Sequence, residues 1–272
     1  MGEPMCRNLA RKSGRSVVAW DLRPEIPGRL AADGVIAARS LEDLSHRAEI
    51  VFLSLPGEKE IRTVFDRLKN CVVVDCSTAP VSLARELAGQ IENFADAPVA
   101  RTRQAAIDGT LSIMVGASDA LFARIEPLLR CMASDVTHCG PPGAGQAVKL
   151  LNNLVLSMTV MALAEALAVA KASGAVDPKV LFETLMKGSA DSFALRNHGM
   201  KALLPETHPE KAFPVTYMMK DVGYALELAR SAGFALPGGE TVFELLKETE
   251  KLGLGEKYHT ALIEAVRNRR TP

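Results

Sequence analysis

The sequence predicts a doubly wound α/β domain followed by an all-α domain, and three observations carry that reading. Short apolar, β-branched runs recur at Ser16-Val17-Val18-Ala19-Trp20, at Ile50-Val51-Phe52-Leu53-Ser54-Leu55 and at Cys71-Val72-Val73-Val74-Asp75. Amphipathic helical patterns follow or separate them, at residues 41–47, 58–68 and 82–91. The alternation stops at Gly140-Pro141-Pro142-Gly143, and everything from Ala144 onward reads as helix, punctuated by Gly174, Gly188, Pro205, Pro214 and residues 233–239.

Runs that are apolar at successive positions cannot have one wet face, so each such strand is expected to be covered on both sides, as in a parallel sheet between helical layers. Strands alternating with helices make that sheet doubly wound. The break at the proline-glycine cluster places the domains at 1–141 and 142–272. Neither an internal repeat nor a low-complexity segment is visible.

Bulk composition narrows the function. The chain has 272 residues, 48% of them hydrophobic, enough for two modest cores and unlike a disordered or collagen-like sequence. Lysine plus arginine and aspartate plus glutamate both come to 32, with no long block of one sign, so neither nucleic acid nor anionic lipid is the expected partner. A small molecule is. The cysteines at 6, 71, 76, 131 and 139 are odd in number and lack paired C-x-x-C spacing, which suits reduced thiols in the cytosol; no metal site is expected. The most apolar stretch, 154–170, is interrupted by Glu165 and reads as a buried helix in preference to a membrane span, and no signal peptide is expected.

A Rossmann-type dinucleotide fold opens with a strand and a G-x-G-x-x-G turn that brings bare backbone to a pyrophosphate at a helix N-terminus. Here Met1-Gly2-Glu3-Pro4-Met5 runs straight into a helical segment at 6–12. Gly2 therefore reads as the last glycine of that turn, with the first strand missing. Asp21 closes the next strand about twenty residues on, where a carboxylate would accept from the ribose hydroxyls. That favours NAD. Arg23, two residues further, would instead suit a 2′-phosphate and leaves NADP open.

The strongest local signal is the glycine-rich start of the long helix, Gly140-Pro141-Pro142-Gly143-Ala144-Gly145-Gln146-Ala147-Val148-Lys149-Leu150-Leu151-Asn152-Asn153. Lys149 and Asn153 stand four apart and so share one face of a helix that is otherwise nearly all apolar. A partly desolvated ammonium there would have its pKa drawn toward the range useful for proton transfer. Taken alone, a first-turn lysine is more often a solvated face residue.

Four spaced motifs then occur in one order: Asp96-Ala97-Pro98-Val99; Gly109-Thr110-Leu111-Ser112-Ile113-Met114-Val115-Gly116; Gly143-x-Gly145-x-x-x-Lys149-x-x-x-Asn153; and Lys220-Asp221. Together they resemble the β-hydroxyacid dehydrogenases, a family that includes 3-hydroxyisobutyrate dehydrogenase, tartronate semialdehyde reductase and 6-phosphogluconate dehydrogenase. The resemblance implies an NAD(P)-dependent oxidoreductase interconverting a short hydroxy acid and its aldehyde or ketone, with Lys149 as catalytic acid/base and Asn153 holding the substrate. It implies cofactor contacts at Met1, Gly2, Asp21, Arg23, Leu55, Pro56, Glu60, Thr78 and Lys220, an active site in the cleft between the domains, and a homodimer or homotetramer packed through the apolar helix.

Most members read Asp-x-Pro-Val-Ser-Gly-Gly where this chain has Asp96-Ala97-Pro98-Val99-Ala100-Arg101-Thr102. The altered loop, with Asn152-Asn153 and Lys220-Asp221-Val222-Gly223, looks like the sulfolactaldehyde reductase branch. That implies Arg101 and Thr102 as contacts for a small anionic aldehyde or hydroxy acid. Two rivals stand beside this reading: an imine reductase, which shares the architecture but characteristically lacks the lysine, and an inactive member acting as a binding or scaffold protein. His138 and His259 read as structural or surface residues, and the methionines at 158, 161, 218 and 219 as packing.

Overall fold

In the computed structural model, which describes residues 1–269 apart from Glu92 and Lys211, the chain divides into two compact units, Met1–Lys149 and Leu150–Pro272. The division falls inside the long helix, whereas the sequence placed it ahead of that helix. The helix's first turns are hydrogen-bonded to the N-terminal sheet, as described below, and so belong with it.

The N-terminal unit opens with α1 (Gly2–Lys12), then β1 (Val18–Ala19), α2 (Glu25–Arg29), β2 (Ile36–Ala37), α3 (Leu41–Arg47) and β3 (Ile50–Leu53). It continues through α4 (Glu58–Phe65), β4 (Val72–Asp75), α5 (Val81–Gln90), β5 (Phe94–Asp96), β6 (Val99–Ala100), α6 (Arg103–Asp108), β7 (Leu111–Gly116), α7 (Asp119–Leu129) and β8 (Ala133–Gly140). Strands β3, β4 and β5 are parallel neighbours. Side chains alternate between two cores: Val72 and Val74 pack with Met5 of α1 and with Leu121, Ile125 and Leu129 of α7, while Val51, Leu53 and Val73 pack with α3, α4 and α5. Coverage on both faces is why these strands read as unbroken apolar runs.

The structure departs from a single parallel sheet in two ways. Strands β1 and β2 form their own parallel pair, apart from the six-stranded sheet. Strand β7, in turn, runs antiparallel to β5 and β6, with β8 parallel to β7. The link from β6 to β7 is the short helix α6, ended by Gly109 in the left-handed region at φ 70°, and it folds the chain straight back.

Beyond β8 comes α8 (Ala144–Ser173), whose stretch past Leu150 belongs to the C-terminal unit with α9 (Pro178–Leu185), α10 (Val215–Ser231), α11 (Pro237–Thr249) and α12 (Leu262–Asn268). Two wide π-type segments, Leu195–Leu203 and Glu250–Leu254, were not legible in the helical periodicity. Along α8, Leu150, Leu154, Val160, Leu163, Ala164 and Leu167 are buried at helical spacing, while Val155 and Val169 remain exposed. Thirty residues long, α8 is long and apolar enough to cross a membrane by composition alone, but much of it is packed in the fold.

Two buried histidines of the C-terminal unit, His198 and His259, have a half-buried third, His208, close by. His259 is fully buried, its ring 5.0 Å from that of His198, whose Nδ1 lies 2.6 Å from the Tyr258 hydroxyl; His208 Nδ1 is 2.8 Å from the Thr260 hydroxyl. Burial pushes His198 down to about 4, lowers His208, and holds His259 well below its ordinary value, the other two histidines adding to the effect on His259. Glu264 opposes the shift at His208. An unfolded histidine takes its proton near pH 6.5, whereas each of these takes it at a lower pH in the fold, so their contribution to stability is complete above that pH and drains away as pH falls. Replacing His259 with phenylalanine is expected to flatten the loss by about 1.4 kcal/mol per pH unit below roughly pH 6.5. Urea unfolding of both proteins at neutral and mildly acidic pH measures it.

Candidate active site

The strand registers set one row across the carboxyl edge of the sheet: Leu53 beside Asp75, Asp75 beside Asp96, Asp96 beside Gly116, Gly116 beside Gly140. Buried polar groups gather on this row. Ser77 accepts the Leu55 amide on its hydroxyl at 2.8 Å and donates its own amide to Asp75 at 2.9 Å, tying together the loops that follow β3 and β4. Asp96, fully buried, accepts the Gly143 amide at 2.6 Å and the Gln146 amide at 2.7 Å. These donors belong to the start of α8, where amides have no partner within the helix and where the helix dipole favours an anion. Burial pushes the Asp96 carboxyl up to about 6 and the two amides pull it back, with the charge of Asp75 adding to the rise.

Two glycines of this region lie against the same carboxylate. A Cβ at Gly145 would collide with the Met114 carbonyl oxygen and crowd Asp96, and one at Gly116 would collide with the Asp96 carboxylate. Gly143 has φ 93°, a left-handed backbone that other residues adopt only under strain. Lys149 follows one turn into the helix and is only 9% exposed.

In the C-terminal unit, Asn153 is nearly buried and its amide is oriented at both ends. Its Nδ2 donates to Asp221 Oδ2 at 2.7 Å, and its Oδ1 accepts from Asn152 at 3.1 Å. Asp221 is 2% exposed, and the Lys220 ammonium lies 3.3 Å from its other oxygen. That ammonium also stands 5.9 Å and 5.3 Å from the ring centres of Tyr217 and Tyr224, three residues before and four after it on α10.

The sequence assigns roles to Lys149, Asn153 and Lys220, but shows Asp96, Gln146 and Asp221, which hold this edge and these side chains, only as motif members without a role. For Asp96 the signal was an acid at the end of an otherwise apolar strand. The two tyrosines were visible only as i−3 and i+4 neighbours of Lys220.

Arg101 and Thr102 both have partners within the N-terminal unit. Arg101 has φ 81°, and its guanidinium donates to the Thr110 carbonyl at 2.6 Å, to the Ser134 hydroxyl at 2.8 Å and to Asp135 at 2.7 Å. Thr102 caps α6 through the Ala105 amide. Asp21 accepts from the Arg23 amide and guanidinium; burial pushes its carboxyl up, but the bonds and charge of Arg23 outweigh that and leave it lowered. Glu60 and Thr78 are half-buried, on α4 and after β4, and Leu55 and Pro56 follow β3.

Residues 1–140 match the family model for the NAD binding domain of 6-phosphogluconate dehydrogenase, and residues 143–266 that for the NAD-binding of NADP-dependent 3-hydroxyisobutyrate dehydrogenase. The 2-(hydroxymethyl)glutarate dehydrogenase of Eubacterium barkeri is 33% identical over 97% of this chain and 90% of its own length. The chain belongs to the β-hydroxyacid dehydrogenase family. The 2-hydroxy-3-oxopropionate reductase of Escherichia coli is 30% identical, over 98% of this chain and 94% of the relative. The Mycobacterium tuberculosis 3-hydroxyisobutyrate dehydrogenase, solved with L-serine, superposes with a TM-score of 0.88 at 28% identity, over 98% and 96% of the two chains.

As a β-hydroxyacid dehydrogenase the protein is an NAD(P)-dependent oxidoreductase, and its N-terminal unit fits the dinucleotide. Helix α1 begins at Gly2 with no side chain capping its first amides, and a Cβ on Gly2 would come 3.2 Å from that of Ser54, so the helix start lies close against the end of β3. Open amides beside a close-packed glycine are the donor set a pyrophosphate takes. Asp21→Ser, which releases Arg23 from its carboxylate, is expected to raise the NADP-to-NAD ratio of kcat/KM by roughly tenfold or more. Initial rates with each cofactor decide it, and an unmoved ratio removes Asp21 from the ribose contact.

Proposed function

We propose that this dehydrogenase interconverts a short hydroxy acid and its aldehyde or ketone, with Lys149 as the acid/base and NAD as the preferred cofactor. The observation that carries the reading is the burial of Lys149 three residues after Gln146, on the turn that Asp96 and Gln146 fasten to the carboxyl edge of the dinucleotide-binding sheet. An ammonium in that setting can give its proton to a carbonyl oxygen during reduction and recover it during oxidation. NAD(P), when bound, supplies hydride chemistry at the neighbouring carbon. Asn153, with its amide fixed by Asp221 and Asn152, stands four residues on in the chain and is suited to hold a substrate oxygen. Lys149 also weighs against the imine reductase reading. Val155 and Val169, exposed on α8, support a homo-oligomer.

Lys149→Ala is expected to lower turnover by about a hundredfold or more while leaving the melting temperature and NADH affinity nearly unchanged. A panel holding 2-(hydroxymethyl)glutarate, 3-hydroxyisobutyrate, L-serine and 2-hydroxy-3-oxopropionate, assayed in both directions, identifies the acid. Failure of the wild-type chain to enhance NADH fluorescence would favour the scaffold reading instead.

Arg101 narrows the substrate to one bearing a carboxylate or sulfonate near the reacting carbon. Its present partner Asp135 is exposed, and so is Arg101, so the pair is screened by water and readily exchanged for a ligand anion. Its left-handed backbone, held by the antiparallel pairing of β6 with β7 just before it, is the kind of strain that gathers at ligand-binding loops. Arg101→Lys keeps the charge but loses the planar fork, and is expected to cost roughly ten- to hundredfold in kcat/KM on the anionic substrate and much less on an uncharged aldehyde of similar size. Equal losses on both would mean that Arg101 does not read the anion.

A further inference from the structure

Two separate fastenings join the start of α8 to the sheet. Asp96 takes backbone amides, and that bond caps the helix whatever side chain stands at 146. The second uses the Gln146 side chain, which is fully buried: its Oε1 accepts the Ala79 amide at 3.1 Å, and its Nε2 donates to the Ser77 carbonyl at 2.8 Å. Because the cap is already made, the Gln146 amide has a distinct geometric effect. It fixes the loop after β4, which carries Thr78, against the helical turn that ends at Lys149.

Only a primary amide meets both ends of this contact at this length. A methionine of similar shape offers neither donor nor acceptor, and would leave a buried N–H and a buried C=O unpaired. A glutamate is isosteric but can donate only while protonated; burial and the facing Asp96 and Asp75 carboxylates raise its pKa into the range where enzymes are assayed, against the opposing pull of Lys149 three residues on and Arg85 beside Gly143. The next link of the same network runs from Ser77 to Leu55, so the loops after β3 and β4 are held as one piece with the helix. A displacement of about 1 Å between reacting groups is enough to cost on the order of a hundredfold in rate.

We propose that Gln146 is a positioning residue, tethering the Ser77–Ala79 loop to the Lys149 turn so that the acid/base and a cofactor bound at that loop keep one fixed spacing. The proposal rests on Lys149 being the acid/base, and its test separates the two. Amide exchange at Ala79, followed by NMR on the full chain, reads the tether without any turnover: the amide is slow in the wild type and fast in Gln146→Met. Steady-state kinetics then read its consequence. Gln146→Met is expected to lower kcat by roughly tenfold to a hundredfold with KM for the hydroxy acid within about threefold, at all pH values. Gln146→Glu, the variant retained if the methionine protein does not fold, is expected to be near wild type at about pH 6 and to lose about tenfold or more in kcat by about pH 9 as the glutamate ionises, with circular dichroism showing the protein folded throughout. A merely structural role would lower stability without that pH dependence in kcat. The tether is overturned if Ala79 exchange is the same in wild type and Gln146→Met. The positioning role is overturned if exchange rises and kcat stays within twofold of wild type, or if Gln146→Glu follows the wild-type pH profile. A wild-type chain inactive on every hydroxy acid overturns the Lys149 reading, while the exchange experiment still decides the tether.

Discussion

Asp96 is a carboxylate without water, placed at the end of a central strand and beneath the first turn of a thirty-residue helix. Taking such a group out of solvent is unfavourable unless donors replace the lost hydration. The replacements are the amides of Gly143 and Gln146, which themselves would lack partners at a helix start. Each side of the contact thus removes the other's penalty. The same carboxylate dictates glycine at 116 and 145, since a methyl group at either would collide with it or with the strand beside it. Removing the Asp96 side chain would leave the start of α8 without its sheet-side partner and relieve the crowding at Gly116, while the Met114 carbonyl would still exclude a side chain at 145.

This dependence explains why the glycine-rich segment was legible as a motif before its reason was. The sequence displayed the spacing of Gly143, Gly145 and Lys149, but the partner lies some fifty residues upstream, across two strands, where no periodicity points. The strands that were read from sequence, around Val51, Val73 and Val18, are those whose successive apolar side chains enter two cores or a strand pair. Strand β8 escaped because Ser134, Asp135 and Thr137 make it polar and largely uncovered, and β6 because two residues carry no pattern. The turn-back of β7 could not be foreseen either, because strand direction depends on how a short connection folds and not on the strand's own composition.

In the C-terminal unit the same logic appears with different chemistry. Asn153 was visible as a polar interruption of an apolar helix, whereas its partner Asp221 was only the second half of a Lys-Asp pair. A buried asparagine amide can present either end to a ligand, and a flip would exchange donor for acceptor. Asp221 and Asn152 together allow one orientation. The adjacent Lys220, between two tyrosine rings, supplies the counter-charge that lets Asp221 remain buried.

The polar groups of this enzyme sort by exposure. Asp96, Gln146, Asn153 and Asp221 are buried, and each has partners within its own chain whose loss nothing in solution can replace. The pairs Asp21 with Arg23 and Arg101 with Asp135 are open to solvent; each couples an anion and a cation that a ligand could exchange with at little net loss. An exchangeable pair can be altered by changing a loop residue while the frame beneath stays put. Relatives at about this level of similarity carry names that specify different acids, 2-(hydroxymethyl)glutarate in one and 2-hydroxy-3-oxopropionate in another, on chains that align with this one over 90% and 94% of their length. Such divergence needs the frame to be insensitive to the loops. A carboxylate capping a helix from a neighbouring strand provides that, because its bonds go to main-chain amides, which are present whatever side chains the loops adopt.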